Sequence, residues 1–273
     1  DLAGADVAVD TLFRQCGVLR VESFREMFAL AAALLHQPLP RGDRMAVVTN
    51  AGGPGILATD ALDAAGLRMA NLSNRTATGL RAVLPPEASI ANPVDLIASA
   101  DAPRYQKALR VIARDRDVDG LLVLFVSPVM IDAAAVAEAI VAETKTDRPV
   151  LACVMGRQRG PEALDILRRN GIPVFRYPED AARTMRMLVA RSRMLQRESA
   201  PRPEFAVDKR AVVKVLREVQ DGWLDAPRVE RVLTAYGIPL ARSRRVSTPG
   251  DAVTAAHEFG FPVVLKAEGP GLL

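Results

Sequence analysis

From residue 44 to residue 197, short apolar runs alternate with segments whose apolar positions recur every three to four residues. The runs at 45–48 (MAVV), 67–72, 120–126 (GLLVLFV), 150–155 (VLACVM) and 172–175 predict five strands. Helical patterns follow them at 55–66, 73–84, 131–144, 160–170 and 179–196. A further helix is predicted from Asp101 to about Asp115, with Pro103 in its first turn, after the segment Asn92-Pro93-Val94-Asp95-Leu96. The run at 120–126 is apolar at every position, as a central parallel strand covered on both faces requires. Strand–helix repetition at this spacing predicts an α/β fold, a doubly wound parallel sheet of flavodoxin-like type.

The pattern differs at both ends of this region. Residues 5–16 form an amphipathic segment stopped by Gly17, and 18–21 read as a brief strand. A helix over 24–35 opens on Ser23 with Glu26 three residues on, a capping box, and ends before Pro38 and Pro40. Residues 1–40 thus read as the tail of a βα domain, and 41–197 as a complete second one. Residues 198–206, around Glu-Ser-Ala-Pro-Arg-Pro-Glu, have no period and predict a linker. The register then changes over 207–273. Helices are predicted at 208–219, from an Asp225 cap to Gly237, and at 249–260 with Gly260 as its C-cap. Strands are predicted at 240–246 and 261–267.

Composition narrows the class. The 273 residues are 49% apolar and 25% charged, an ordinary globular balance. Net charge is +4, from arginines spread along the chain, which favours phosphorylated ligands weakly. Aromatic residues make up 4%, too few for a stacking platform, so nucleic acid is not an expected partner. Cys16 and Cys153 lie far apart and read as buried thiols rather than a disulfide or metal pair, which fits a reducing cytoplasm. The sequence has no apolar run of 18 residues, so no membrane partner is expected.

The candidate chemistry sits after the first strand. Thr49-Asn50-Ala51-Gly52-Gly53-Pro54-Gly55 carries the chain from a buried strand into a helix. Glycines let the backbone approach a ligand, and the first-turn N–H groups and helix dipole favour an anion. Pro54 gives up an N–H that has no intrahelical partner. No Lys-Ser/Thr pair follows, and the glycine spacing is not that of a dinucleotide fingerprint. On these grounds alone the turn reads equally as a tight strand–helix connection without a ligand.

The stretch TNAGGPGILATDALDAAGL, followed by LPPEASIANPVDL, resembles the NDP-forming acyl-CoA synthetases of the succinyl-CoA synthetase superfamily. LAGADVAVDTLFRQCGVLRV at the start also looks like that family, and DAPRVERVLTAYGIPLARSRRVSTPGDAVTAAHEFGFPVVLKAEGPGLL looks like the start of its ATP-grasp domain. The resemblance implies that 1–40 end a first CoA-ligase domain, that 41–197 form a second, and that 207–273 begin an ATP-grasp domain. It implies an enzyme that converts carboxylic acid, CoA and ATP to acyl-CoA, ADP and phosphate, through an acyl phosphate and a phosphohistidine. ATP/ADP, CoA and Mg²⁺ would serve the full-length protein, and the rest of the same polypeptide would be its partner; a homo-oligomeric state is left open.

The family's phosphohistidine sits between two helix N-termini, and the helix at Pro54-Gly55 matches one of them. Asn50, Gly52, Gly53 and Gly55 are therefore the implied phosphate site. The glycines would donate main-chain N–H groups, and Asn50 would shape the turn. Asn92 and Asp95 would support the loop, Asp95 by accepting N–H bonds, and Lys266 would meet a nucleotide phosphate. The family's two phosphorylated histidines would fall just before Asp1 and just after Leu273, so the chain reads as an internal piece with no catalytic residue of its own. His36 and His257, its two histidines, match neither position. Two other readings stay open: a synthetase-like regulatory module of a protein lysine acetyltransferase, and a flavin or plain binding module on the same fold.

Overall fold

The computed structural model describes residues 2–156, 160–197, 204–219, 222 and 224–267. The segment 198–203 of the expected linker, Trp223, and residues 268–273 of the expected ATP-grasp start lie outside the described residues. The chain divides into two compact units, residues 1–198 and 199–273.

The first unit is built on six parallel strands: β1 (Arg44–Thr49), β2 (Arg68–Met69), β3 (Val94–Asp95), β4 (Gly120–Val126), β5 (Val150–Met155) and β6 (Val174–Phe175). The order β2-β1-β4-β5-β6 is the doubly wound flavodoxin-like order, with β3 added on the β2 side of β1. The helices are α1 (Leu2–Cys16), α2 (Phe24–His36), α3 (Gly52–Ala64), α4 (Asn74–Val83), α5 (Ala102–Ile112), α6 (Ala133–Glu143), α7 (Pro161–Arg169) and α8 (Pro178–Gln196).

Period-two alternation decides which helix covers which face. Met45, Val47, Leu122, Leu124, Leu151 and Cys153 point to one side and pack with Leu30 and Ala33 of α2, Ala58 and Leu62 of α3, and Met185 and Leu188 of α8. Ala46, Val48, Leu121, Val123, Phe125 and Ala152 point to the other, under Leu80 of α4, Leu109 of α5, Ile140 of α6 and Leu167 of α7. Tyr105 of α5 is fully buried there; its hydroxyl donates to the Leu124 carbonyl at 2.7 Å and its ring meets Phe125 edge-on. Burial pushes the Tyr105 phenol well above its ordinary range, so it stays a donor.

Several expectations change. The run at 67–72 supplies only the two-residue β2, because β3 takes the next stretch of the same edge of β1. Residues 18–21 form no strand. Cys153 is buried as expected, its thiol pushed well up by burial, but Cys16 is exposed at the end of α1.

The second unit holds α9 (Lys209–Arg217), α10 (Ala226–Ala235) and α11 (Pro249–Phe259), each opened by a side-chain cap: Asp208, Asp225 and Thr248. The strands predicted at 240–246 and 261–267 are absent. A strand exists only as one side of a hydrogen-bonded ladder, and no described residue of this unit pairs with either segment.

Two carboxylates tie the amino-terminal end of the sheet. Asp119 bonds the Arg44 backbone N–H at 3.0 Å and its side-chain Nε at 2.9 Å. Asp115 accepts from the N–H groups of Ser73 and Asp117. Burial pushes both carboxyls up, but hydrogen bonds outweigh it, from Arg44 for Asp119 and from Thr76, Asp117 and Ser73 for Asp115, so both end below the usual range. A depressed carboxylate stabilises the fold above its unfolded pKa, and that contribution is lost as pH falls through the folded one. Urea unfolding is therefore expected to show stability falling as pH drops below about 4. Asp119→Asn should be less stable at pH 7 and show a shallower acid loss.

Candidate functional site

In a doubly wound sheet ligands sit at the carboxyl ends of the strands, where the strand order reverses. Here that point lies between β1 and β4, and Asn50 closes its floor. Asn50 is 2% exposed; its Nδ2 donates to the Val126 carbonyl at 2.9 Å and its Oδ1 accepts from the Val126 N–H at 2.8 Å. Asn50 therefore clamps the tips of β1 and β4 together. The turn itself is shaped by Thr49, whose hydroxyl accepts from the Ala51 N–H and donates to the Ala51 carbonyl, both at 3.0 Å.

Helix α3 begins on Gly52 with Ala51 as an N-cap that offers no side-chain bond. The first-turn donors are then left to something else. Gly52 and Gly53 are exposed, and neither N–H has an acceptor among the described residues. Pro54 has no N–H. Gly55 departs from its expected role: its N–H donates to the Ala51 carbonyl at 3.1 Å, so it is committed within the helix. A Cβ at Gly55 would lie 3.0 Å from the Thr49 methyl, whereas one at Gly53 would meet nothing within 4 Å. Gly55 thus lets α3 lie close against β1, and Gly52 and Gly53 are the two bare donors.

The Asn92-Pro93-Val94-Asp95 segment flanks this mouth. Asn92 is a structural residue of the sheet: its Oδ1 accepts from Val47 N–H at 2.9 Å, and its Nδ2 donates to the carbonyls of Met45 at 2.8 Å and Ala70 at 3.0 Å. Its side-chain amide stands in for a strand peptide where β2 has ended and β3 has not begun. Asp95 Oδ1 accepts from Ile97 N–H at 2.9 Å, and its Oδ2 would lie 3.2 Å from a Cβ on Gly52. The carboxylate therefore stands beside the mouth of α3, where the helix dipole favours it and where it opposes a second anion.

Sequence reasoning missed two features. Ile97 holds φ 63, the one positive value among non-glycine described residues. A β-branched residue there costs on the order of 1–3 kcal/mol and marks a tightly determined loop. Arg104, from α5, reaches back to the Leu96 carbonyl at 3.3 Å and Ser99 Oγ at 3.1 Å and holds that loop. No signal short of the fold points to either. Lys266 lies far along the chain in the second unit, exposed in an irregular segment.

Residues 45–198 match the Ligase-CoA domain family, more than half of the chain, and 214–273 match an ATP-grasp domain. The chain belongs to the Ligase-CoA family. The Ligase-CoA chain is 40% identical over 197 residues to the alpha subunit of ADP-forming acetate–CoA ligase II of Pyrococcus furiosus, covering 70% of this chain and 43% of that protein. It is 31% identical to the ADP-forming 4-hydroxybutyrate–CoA ligase of Nitrosopumilus maritimus, over 100% of this chain and 39% of that one. Among solved structures, it superposes on acetyl-coenzyme A synthetase 1 of Ca. Korarchaeum cryptofilum, determined with phosphate and ADP. That match has a TM-score of 0.65 at 29% identity, over 70% of this chain and 42% of the other. This Ligase-CoA chain spans roughly two fifths of the length of the curated relatives it matches, 39% and 43% for the two named.

Proposed function

We propose that the whole protein is an ADP-forming acyl-CoA synthetase, joining a carboxylic acid to CoA at the expense of ATP through an acyl phosphate and a phosphohistidine. In this reading the described chain supplies the docking mouth for the phosphoryl group at the start of α3. The observation that carries it is the pair of bare, exposed Gly52 and Gly53 amides at the sheet's switch point. The named relatives are ligases and give the acetyltransferase reading no support.

Two features favour a phosphoryl group delivered on a polypeptide over a free ion. First, two bare N–H donors stand at the mouth among the described residues, and the Asp95 carboxylate stands beside them, so affinity for free phosphate is low; a tethered carrier overcomes this by its high effective concentration. Second, Gly53, Ile56 and Leu57 lie at i, i+3 and i+4, on one exposed face of α3, and the two apolar side chains would be covered by a docked segment. We assign that segment to the rest of the same polypeptide; residues 1–40, expected to end a preceding domain, share one compact unit with the sheet and supply α2 to its core.

ATP/ADP, CoA and Mg²⁺ are requirements of the whole protein. Mg²⁺ in such enzymes is held through one or two carboxylates and the substrate phosphates, and this reading assigns it no residue of the chain. Lys266 offers a single point charge suited to a nucleotide phosphate, a role supported by its place in the ATP-grasp match.

The test is a phosphate titration followed by amide chemical shifts. Gly52 and Gly53 should move saturably in the millimolar range. Gly53→Val, whose side chain enters open space, should keep the fold and weaken the response tenfold or more, about 1.4 kcal/mol. An unchanged affinity in Gly53→Val removes the basis for the docking mouth.

A further inference from the structure

At the opposite, amino-terminal end of the same sheet, the residues that lead into β1, β4 and β5 line an open cavity of about 480 Å³. Its walls carry Arg41, Arg114, Arg116 and Arg148 with Asp119 and Asp147, over a floor at the buried Val118. The volume is that of a small-molecule site.

Its charges do not cancel. Arg41 and Arg148 pair with Asp147 at 2.5 and 3.5 Å. Arg44, just behind the wall, pairs with Asp119 at 2.9 Å and Asp117 at 2.8 Å. Three arginines thus answer three aspartates. Among the described residues Arg116 forms no ion pair, and Arg114 forms no close one: it is drawn only to Glu143, which Arg110 already holds at 2.6 Å. Arg114 and Arg116 are thus the least committed guanidinium groups of a wall whose best-held members are Asp119 and Arg148. Asp119 is 7% exposed at its side chain and Arg148 is 12% exposed, the latter anchored on the Asp115 carbonyl.

Guanidinium forks match phosphate and carboxylate oxygens in pairs, and four of them against two aspartates in one lining favour an anion of at least two charges. The lining has no aromatic ring and a single apolar side chain, so it offers no aromatic platform for a nucleobase. The cavity is also roomier than one orthophosphate needs. We propose that this cavity binds a compact polyphosphate, with inorganic pyrophosphate as its simplest form. This site is separate from the mouth of α3: β1 runs six residues between them, about 20 Å.

The experiment is isothermal titration of the purified chain with pyrophosphate at 150 mM KCl. One saturable site is expected, binding pyrophosphate more tightly than orthophosphate or malonate. Affinity should fall tenfold or more in Arg114→Gln/Arg116→Gln and measurably in Arg116→Gln alone, both changes at exposed side chains, and stay unchanged in Gly53→Val. Absence of saturation at this salt overturns the proposal, as does equal affinity in the double variant. Malonate binding as tightly as pyrophosphate overturns the phosphate class. Binding lost only in Gly53→Val assigns the anion to α3 and leaves the cavity without a ligand, independently of whether the docking mouth stands.

Discussion

Replacing Asn92 with alanine should cost the first unit about 3 kcal/mol, because it strands three strand-backbone groups at once and each unsatisfied buried group costs roughly 1–3 kcal/mol. The Val47 N–H loses its acceptor, and the Met45 and Ala70 carbonyls lose their donor. Water reaching the cut edge returns part of the loss, which places the estimate toward the lower end of the sum. For a unit of this size about 3 kcal/mol corresponds to roughly 6–12 °C in Tm. Asn92→Asp separates hydrogen bonding from shape. It keeps an acceptor for Val47 but aims a charged oxygen at two carbonyls, so it should be at least as destabilising as alanine at pH 7. It should recover partly at acid pH, where the protonated carboxyl is again a donor. Urea unfolding of the three proteins at pH 7 and pH 4.5 measures this. An Asn92→Ala variant as stable as the parent would mean the side-chain amide does not complete the sheet edge.

Asn50→Ala should cost about 2–4 kcal/mol, since both the N–H and the carbonyl of Val126 lose their partner in a site that is 2% exposed. The consequence for function follows from location. Asn50 joins the tips of β1 and β4, directly before the turn that presents Gly52 and Gly53. Without it the strand ends part and the two amides lose their common aim, so the phosphate response should fall together with stability. Asn50→Asp restores the acceptor for the Val126 N–H but turns a second oxygen toward the Val126 carbonyl, so it should remain close to alanine. Gly53→Val, by contrast, should lose phosphate binding at unchanged stability. Thermal unfolding beside the amide-shift titration distinguishes the two; an Asn50→Ala protein with normal stability and normal phosphate shifts would show the clamp to be dispensable.

The relation between the two asparagines and the glycines bears on how the proposed phosphoryl site is held in place. The donors come from two residues that contribute almost nothing else. Their position depends on side-chain amides acting as backbone, one between β1 and β4 and one between β1 and the β2/β3 edge. Gly55 belongs with this supporting group, since its missing Cβ permits the close approach of α3 to Thr49.

The sequence alone determined whatever depends on near neighbours. The all-apolar β4 and the alternation of strands with helices fixed a doubly wound parallel sheet. Ser23, Asp101 and Asp225 marked helix starts that the structure places at those caps. The glycine turn into α3 was visible because sterics and first-turn N–H groups are local properties. Tertiary structure decided what depends on partners distant in the chain. Asn92 meets Met45 across 47 residues and Asn50 meets Val126 across 76, so neither clamp has a local signature. The same reason accounts for the expected strands at 240–246 and 261–267, which lack a paired ladder, and for β2, shortened because β3 shares its edge of β1. It also accounts for the arginine cavity, whose walls come from segments that only the fold brings to one end of the sheet.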